Sequence, residues 1–200
     1  GEWIEGLPGR PEISLGRDIA WEKANQTRLA DGWKTGGASA PMTPTVDAER
    51  GLAYVSTGGP DPTAFPPPAE PHPGDMRWTN SVCAIRIADG STAWCYQFLP
   101  HDIWGASGPT PPIRFALERD GRVQQVVGKF TGMGNLYVLD ADTGALVTRS
   151  DNYRPVDGTV GGVAGSNLIR GGVAGTIWSP GAYSADTGLL YAVNQRIEGY

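Results

Sequence analysis

The feature that most constrains the fold is a recurring pair of short apolar segments joined by a tight polar turn. Each copy has an apolar segment, then Asp, a short polar link, Gly and a second apolar segment. Glycine tolerates the positive φ that such turns require, and an aspartate side chain can cap backbone N–H groups within the turn. The pattern therefore predicts β-hairpins at 44–58, 84–97, 137–150 and 182–195, with a weaker fifth copy at 115–128.

The number and spacing of these hairpins predict an all-β fold. The chain has 29 Gly and 17 Pro among 200 residues, scattered between short apolar runs, which indicates many tight turns. Hairpins that follow one another in groups of about four strands are typical of β-propeller blades. A β-sandwich is the competing interpretation, although its strands rarely repeat one turn motif so closely. We predict a β-propeller of four-stranded antiparallel blades, with turn glycines at Gly51, Gly90, Gly121, Gly144 and Gly188.

About three blades fit into the chain, which we expect to be part of a single propeller domain. A propeller closes with about four to eight blades, and an open arc leaves blade faces exposed. The remaining blades would come from further chain or from another subunit, and residues 1–200 alone are not expected to form a stable monomer. The predicted parts are an irregular or helical lead-in at 1–35 and blade segments at 36–100, 109–150 and 170–200.

The charge distribution argues against several classes of partner. The formal net charge is -5, and the basic residues are spread along the chain, which makes nucleic acid and anionic membrane surfaces poor partners. No apolar run approaches the length that spans a bilayer. Residues 1–12 do not resemble a signal peptide, and we expect them to continue an upstream segment.

The two cysteines, Cys83 and Cys95, flank the predicted hairpin around Asp89 and Gly90. Counting outward from the turn places them almost opposite each other, so a cross-strand disulfide is possible. Two small buried residues that never pair are at least as good an interpretation. A disulfide would fit an oxidising compartment such as the periplasm without establishing one.

Several stretches match a known family in the order in which they occur. They are "LPGRPE", "WEKANQTRLADGWKTGGA", "PTVDAERGLAYVSTGGPDP", "GDMRWTNSVCAIRIADGSTAWCYQFLPHDIW", "GNLYVLDADTGALV" and "GTIWSPGAYSADTGLLYAVNQ". Together they resemble the PQQ-dependent alcohol dehydrogenases, quinoproteins built as eight-bladed propellers. The resemblance implies a periplasmic or secreted protein that holds PQQ over a calcium or lanthanide ion. It also implies oxidation of alcohols, with a cytochrome c as a possible electron acceptor.

The resemblance implies a catalytic aspartate that the chain lacks. In such enzymes the metal ion polarises a quinone carbonyl, while an aspartate takes the proton of the substrate hydroxyl. That aspartate follows the tryptophan of P-H-D-x-W-D, and the matching residue here is Gly105. Asp102 is the candidate for a displaced base. With His101 it forms either a functional pair or a pair that merely stabilises the turn, which is the default for an Asp in a glycine-rich bend.

Four further positions are substituted in the same way. The resemblance assigns to them a stacking indole, a metal-binding amide, a cation near the quinone oxygens and a second amide. The residues found there are Pro41, Gly59, Gly132 and Ile177. Lys129 lies three residues before the cation position and is the candidate cofactor-binding residue. We predict no metal ligand in this segment, and convergence of the five substituted positions on one end of the propeller channel.

Two functions follow from these residues. The first is a periplasmic quinoprotein that oxidises an alcohol, which the resemblance favours. The second is a catalytically silent propeller that binds a partner or serves as a scaffold, which the five substitutions favour.

Overall fold

The part of the chain that the structure describes is dominated by two four-stranded antiparallel sheets. The computed structural model describes residues 3–27, 30–31, 34, 37–60, 73–102, 108–151, 174–175, 178–193 and 195–196. The first blade consists of β3 (Thr45–Asp47), β4 (Leu52–Ser56), β5 (Ser81–Arg86) and β6 (Thr92–Gln97). The second blade consists of β7 (Ile113–Arg119), β8 (Arg122–Phe130), β9 (Leu136–Asp140) and β10 (Leu146–Arg149).

The remaining elements lie before and after these two blades. The lead-in contains β1 (Gly6–Leu7), β2 (Arg10–Ser14) and the helix α1 (Ile19–Asn25). After the second blade come β11 (Ala174–Gly175), β12 (Ala182–Ser184), β13 (Leu189–Tyr191) and β14 (Gln195–Arg196), which pair as β11 with β14 and β12 with β13. Among the described residues, no helix is long and apolar enough to cross a membrane.

The predicted hairpin turns are confirmed. All five predicted turn glycines have φ values between 63° and 73°, and each lies between two paired strands. Aspartates cap the turns at Gly51, Gly90 and Gly144, where Asp140 Oδ1 accepts hydrogen bonds from the backbone N–H of Thr143 at 2.8 Å and of Asp142 at 3.1 Å. At Gly188 the cap is Ser184 Oγ, which accepts from Thr187 N at 3.3 Å. The repeated pattern therefore encodes the turns through backbone conformation and side-chain capping.

Trp94 docks the first blade onto the second. Its indole Nε1 donates to the carbonyl oxygen of Ala141 at 3.2 Å, and its ring covers the turn at Gly144 so closely that an added Cβ there would lie 2.5 Å from the ring. The Tyr54 hydroxyl donates to the same carbonyl oxygen at 3.2 Å. Around this contact one buried cluster spans both blades, with Val82, Ala84 and Phe98 from the first and Val127, Tyr137 and Leu139 from the second.

The cysteines left open by the sequence form a disulfide. Cys83 and Cys95 are opposite partners on β5 and β6, and their sulfur atoms are bonded. Because successive side chains of a strand point to opposite faces, the disulfide lies on the face of the first blade that is turned away from Trp94. It therefore ties the outermost strand of this blade to its neighbour without occupying the interface between the blades.

The lead-in is more ordered than an irregular segment. The helix is present at 19–25, but residues 6–14 form a hairpin that the sequence pattern does not predict. Leu7 and Leu15 are 2% and 1% exposed within the cluster shared by the two blades, and the Tyr137 hydroxyl donates to Pro8 O at 3.2 Å. The lead-in therefore packs against both blades. The predicted proline-rich excursion lies largely in 61–72, outside the described residues.

The docking of Trp94 predicts a difference between two turn glycines. Gly90→Ala and Gly144→Ala both place a Cβ at φ near 72°, which costs about 1–2 kcal/mol of unfolding free energy. Nothing lies within 4 Å of the new Cβ at Gly90, whereas at Gly144 it meets the indole. We expect Gly144→Ala to lose about 1–3 kcal/mol more than Gly90→Ala in urea unfolding, because the ring must move. Equal losses would show that the ring does not press on this turn.

Candidate functional site

The structure describes some of the residues that the sequence singles out and not others. Asp102, Lys129 and Gly132 are described and buried, and Pro41 and Gly59 are described as exposed and half-buried. Gly105 and Ile177 lie outside the described residues. The convergence of the five substituted positions on one end of the channel therefore stays a prediction.

A small cavity between the two blades contains two of the predicted site residues. Its volume is about 10 Å³, which is the lower limit for one water molecule. Lys129 and Gly132 of the second blade face the ends of β4 and β5 of the first blade across it. Pro41 and Gly59 do not line it. The lining residues are Thr57, Asn80, Phe98, Leu99, Gly108, Lys129, Thr131, Gly132 and Met133.

The side-chain amine of Lys129 donates to acceptors of its own chain. It is 2% exposed on β8, and its Nζ lies 2.6 Å from Gly108 O, 2.5 Å from Thr110 O and 2.7 Å from Thr110 Oγ1. An ammonium has three hydrogens and a neutral amine has two, so these three acceptors leave none free in either protonation state. No carboxylate pairs with Lys129 in the described ranges, and burial lowers the pKa of its amine well below the ordinary value.

Asp102 does not line the cavity but binds Asn80, which does. Its side chain is 1% exposed, and Oδ2 accepts a hydrogen bond from Asn80 Nδ2 at 2.9 Å. Asn80 itself is fixed by its backbone, because its N–H donates to Gly58 O at 2.7 Å and its carbonyl oxygen accepts from Phe98 N at 2.8 Å. Asp102 is therefore part of the wall behind the cavity, at one remove from the residues that line it.

A buried charged cluster lies behind this wall, and sequence reasoning identified only its histidine. Arg17 binds Glu22 through Nε at 2.9 Å and Nη2 at 2.5 Å, and its Nη1 binds Asp75 Oδ1 at 2.5 Å. The side chains of Arg17, Glu22, Asp75 and His101 are at most 3% exposed. Glu22 Oε2 also accepts from Gly74 N at 2.7 Å. We call these four residues the Arg17 cluster.

His101 is the member of the Arg17 cluster that directly precedes Asp102 of the cavity wall. Its Nε2 lies 3.5 Å from Glu22 Oε1, and its Nδ1 lies 3.4 Å from Gly74 O. Burial lowers the pKa of His101, and the charge of Glu22 opposes this shift. Burial also works to raise the pKa of Glu22, but the hydrogen bonds from Arg17 and Gly74 outweigh it and hold that pKa below its ordinary value.

The described residues do not fit a quinone cofactor with its metal ion. The cavity beside Lys129 is water-sized, and the one lysine that lines it has no hydrogen left to donate. Pro41, Gly59 and Gly132 offer no polar side chain. Within the described ranges, no group of three or more His, Cys, Asp or Glu side chains is arranged to hold a metal.

Comparison with known proteins places this chain among quinoproteins. Residues 17–160 match the family model described as "PQQ: Glucose/ethanol/alcohol dehydrogenase, beta-propeller domain". Quinoprotein alcohol dehydrogenase PedH of Pseudomonas putida is 30% identical over 195 residues, covering 86% of this chain and 32% of the relative. Lupanine 17-hydroxylase [cytochrome c] of a Pseudomonas species is 31% identical over 157 residues, covering 78% and 22%.

A solved structure resembles the chain in the same way. The crystal structure of quinohemoprotein alcohol dehydrogenase from Comamonas testosteroni superposes with a TM-score of 0.66 at 25% identity, covering 84% of this chain and 28% of that one. The chain thus spans about a third or less of the length of the relatives and the structure that it matches.

The buried histidine predicts a pH dependence of stability. The pKa of His101 is lower in the folded chain than its ordinary value of 6.5, so the unfolded chain binds the proton first as the pH falls. Stability is therefore full above pH 6.5 and declines as the pH falls through the range between 6.5 and the folded pKa. The stability that Glu22 contributes is lost at lower pH, below 4.5, because its folded pKa is also lowered.

We expect His101→Gln to flatten the decline that begins below pH 6.5 in urea unfolding, while leaving the loss below pH 4.5 in place. A decline of unchanged slope in the variant would mean that another group titrates in this range.

Proposed function

The chain belongs to the PQQ-binding β-propeller family of glucose, ethanol and alcohol dehydrogenases, and from this premise we propose that it is a structural part of such a propeller that does not itself hold the cofactor. In this proposal the segment closes one sector of the channel with its own side chains. Its function is to bind a partner or to serve as a scaffold, and it contributes no catalytic base and no metal ligand.

The observation that carries this proposal is the use of Lys129. A cation that binds quinone oxygens needs hydrogens that point into the site, whereas all three of those on Lys129 are used by Gly108 and Thr110. Turning the amine toward a ligand would leave buried acceptors without partners, at about 1–3 kcal/mol each. Lys129 therefore acts as an internal clamp between β8 and the segment before β7.

The substituted positions support the same function. Gly105 offers no group that accepts a proton, and Pro41, Gly59, Gly132 and Ile177 offer no indole, amide or cation where the family resemblance expects one. The loss of one function could be compensated by a neighbouring residue. Asp102, the candidate for a displaced base, is already engaged by Asn80.

A second candidate function rests on membership of the family itself. PQQ-linked oxidation of an alcohol, with calcium or a lanthanide as the metal and electrons passed to a cytochrome c, would require all cofactor contacts to come from the rest of the propeller. The names of the relatives favour this candidate, since one is an alcohol dehydrogenase and another is named with cytochrome c. Either function fits a periplasmic or secreted protein, which the Cys83–Cys95 disulfide supports.

We assign the remainder of the propeller as the main partner. The hairpin β12–β13 packs one face on the second blade, where the rings of Tyr183 and Phe115 lie 5.0 Å apart. Its other side exposes more than half of Leu189, Tyr191 and Val193. This apolar surface is what a further blade would cover, whether it comes from further chain or from another subunit. In this proposal, residues 36–100, 109–150 and 170–200 are blade segments of one domain.

The proposal predicts that the purified protein neither binds PQQ stoichiometrically nor oxidises alcohols. Absorbance titration with PQQ in the presence of Ca²⁺ or La³⁺, followed by a dye-linked assay with ethanol, measures both. Quinoprotein alcohol dehydrogenase PedH under identical conditions is the positive control. Stoichiometric binding with turnover would establish the second candidate instead.

Restoration of the missing base sharpens this experiment. Gly105→Asp returns the carboxylate that the family resemblance expects, but it returns neither the stacking nor the metal contacts. We therefore expect Gly105→Asp to remain inactive in the same assay. Activity in this variant alone would show that only the base had been lost and that the cofactor still binds.

A further inference from the structure

The Arg17 cluster connects three separate parts of the chain at one carboxylate. Arg17 and Glu22 come from the lead-in, Gly74 and Asp75 from the turn before the first blade's third strand, and His101 from the turn after its fourth strand. Glu22 contacts all three parts, since it binds Arg17 through both oxygens, accepts from Gly74 N and faces His101. The sequence separations of 52 and 79 residues exclude any local reason for these contacts.

Helix α1 fixes the position of Glu22. Asp18 caps the helix, because its Oδ1 accepts from Trp21 N at 2.9 Å and its carbonyl oxygen accepts from Glu22 N at 2.9 Å. Glu22 is 2% exposed and is the only buried residue of the helix, since the others are half-buried or exposed. The helix therefore presents one carboxylate to the interior, and its burial is tolerated only because Arg17 and Gly74 bind it.

The contacts of Glu22 continue to the cavity wall. His101 is followed directly by Asp102, which binds Asn80, and Asn80 lines the cavity opposite Lys129. The next described residue, Gly108, also lines the cavity and accepts a hydrogen bond from Lys129. The turn at 98–102 is thus held at His101 by the Arg17 cluster and at Asp102 by Asn80.

One cation of the cluster faces two carboxylates. Arg17 carries one positive charge against the negative charges of Glu22 and Asp75, and Asp75 Oδ2 is buried with no hydrogen-bond partner among the described residues. A neutral imidazole can donate to Glu22 or to Gly74 O, but not to both. The approach of His101 Nε2 to Glu22 Oε1, at 3.5 Å, is therefore the contact that links Glu22 to the turn 98–102.

We propose that Glu22 is a positioning residue for the channel side of the propeller: through His101 it holds the turn 98–102, and with it Asp102 and Asn80, in place beside the cavity. The lead-in helix is then part of the site's support and not a separate extension. This inference does not depend on whether the channel holds PQQ, since it concerns the placement of the wall and not the identity of the ligand.

The variant Glu22→Gln tests this inference in the purified protein. It keeps the shape of the side chain and removes its charge. We expect amide hydrogen exchange of the segment 98–102 to rise about tenfold or more, because the contact of His101 with Glu22, which links the turn to the lead-in, loses the charge of the carboxylate. We also expect the pKa of His101, followed by NMR of its imidazole, to fall further, because the opposing charge of Glu22 is gone. The chain has only one other histidine, His72, and the variant His72→Gln identifies which NMR signal belongs to His101.

Glu12→Gln is the matched control. Glu12 lies in the same lead-in and also pairs with an arginine, Arg10, but the pair is exposed. Neither the exchange of 98–102 nor the pKa of His101 should change in this variant. Unchanged exchange and an unchanged His101 pKa in Glu22→Gln would overturn the inference.

If Glu22→Gln does not fold, the variant His101→Gln tests the same inference. This variant leaves the charges of Arg17, Glu22 and Asp75 in place, and should raise exchange in 98–102 while leaving helix α1 protected. Protection of 98–102 equal to that of the wild type would contradict the role of the Glu22–His101 contact.

Discussion

The contact between Trp94 and the turn at Gly144 is the interaction on which the rest of the described structure depends. It brings the outermost strand of the first blade against a turn of the second, and the shared cluster of Val82, Val127 and Leu139 forms around it. Only with the blades in this arrangement do Asn80 and Lys129 face each other across one cavity. Because the Trp94 ring is half-buried, its loss should cost less than the about 3–5 kcal/mol typical of a fully buried indole.

The fold could be predicted from the sequence wherever the information is local. The turns at Gly51, Gly90, Gly121, Gly144 and Gly188 are encoded by a glycine that tolerates positive φ, and all five are found. An aspartate also caps the turns at Gly51, Gly90 and Gly144. The hairpin β1–β2 could not be found in this way, because its short strands are stabilised by burial of Leu7 and Leu15 against the blades. The disulfide stayed open because counting from the turn, which places Cys83 and Cys95 almost opposite, cannot distinguish a bonded pair from two small buried residues.

The site shows the same division between local and distant information. Lys129, Asp102 and Gly132 could be named from the order of motifs along the chain, but the partners of Lys129 could not, since they depend on how the segment before β7 packs. The Arg17 cluster could not be predicted from the sequence because Arg17 and Asp75 are 58 residues apart and no periodic pattern links them. The sequence signal that remained was the capping aspartate before Glu22, which predicts a helix start but not a buried carboxylate.

Three buried polar side chains in and behind the cavity wall bind other groups of the chain: Lys129 binds Gly108 and Thr110, Asp102 binds Asn80, and Glu22 binds Arg17 and Gly74. In our proposal, a segment that retains the blades and their docking, but pairs these polar side chains with one another, supports the ring and does not itself hold the quinone. The family's architecture is thus separable from its chemistry in this part of the ring.

The accessibility of Lys129 tests this account most directly. Reductive methylation with formaldehyde, read by mass spectrometry with and without PQQ and La³⁺, compares Lys129 with Lys23 and Lys34, the two other lysines of the chain, which are both exposed. We predict rapid methylation of Lys23 and Lys34. Lys129 should stay unmodified, both in the free protein and in the presence of PQQ and the metal. A Lys129 that is methylated in the free protein and becomes protected on addition of PQQ would contradict it, because its amine would then be a cofactor contact and not an internal clamp.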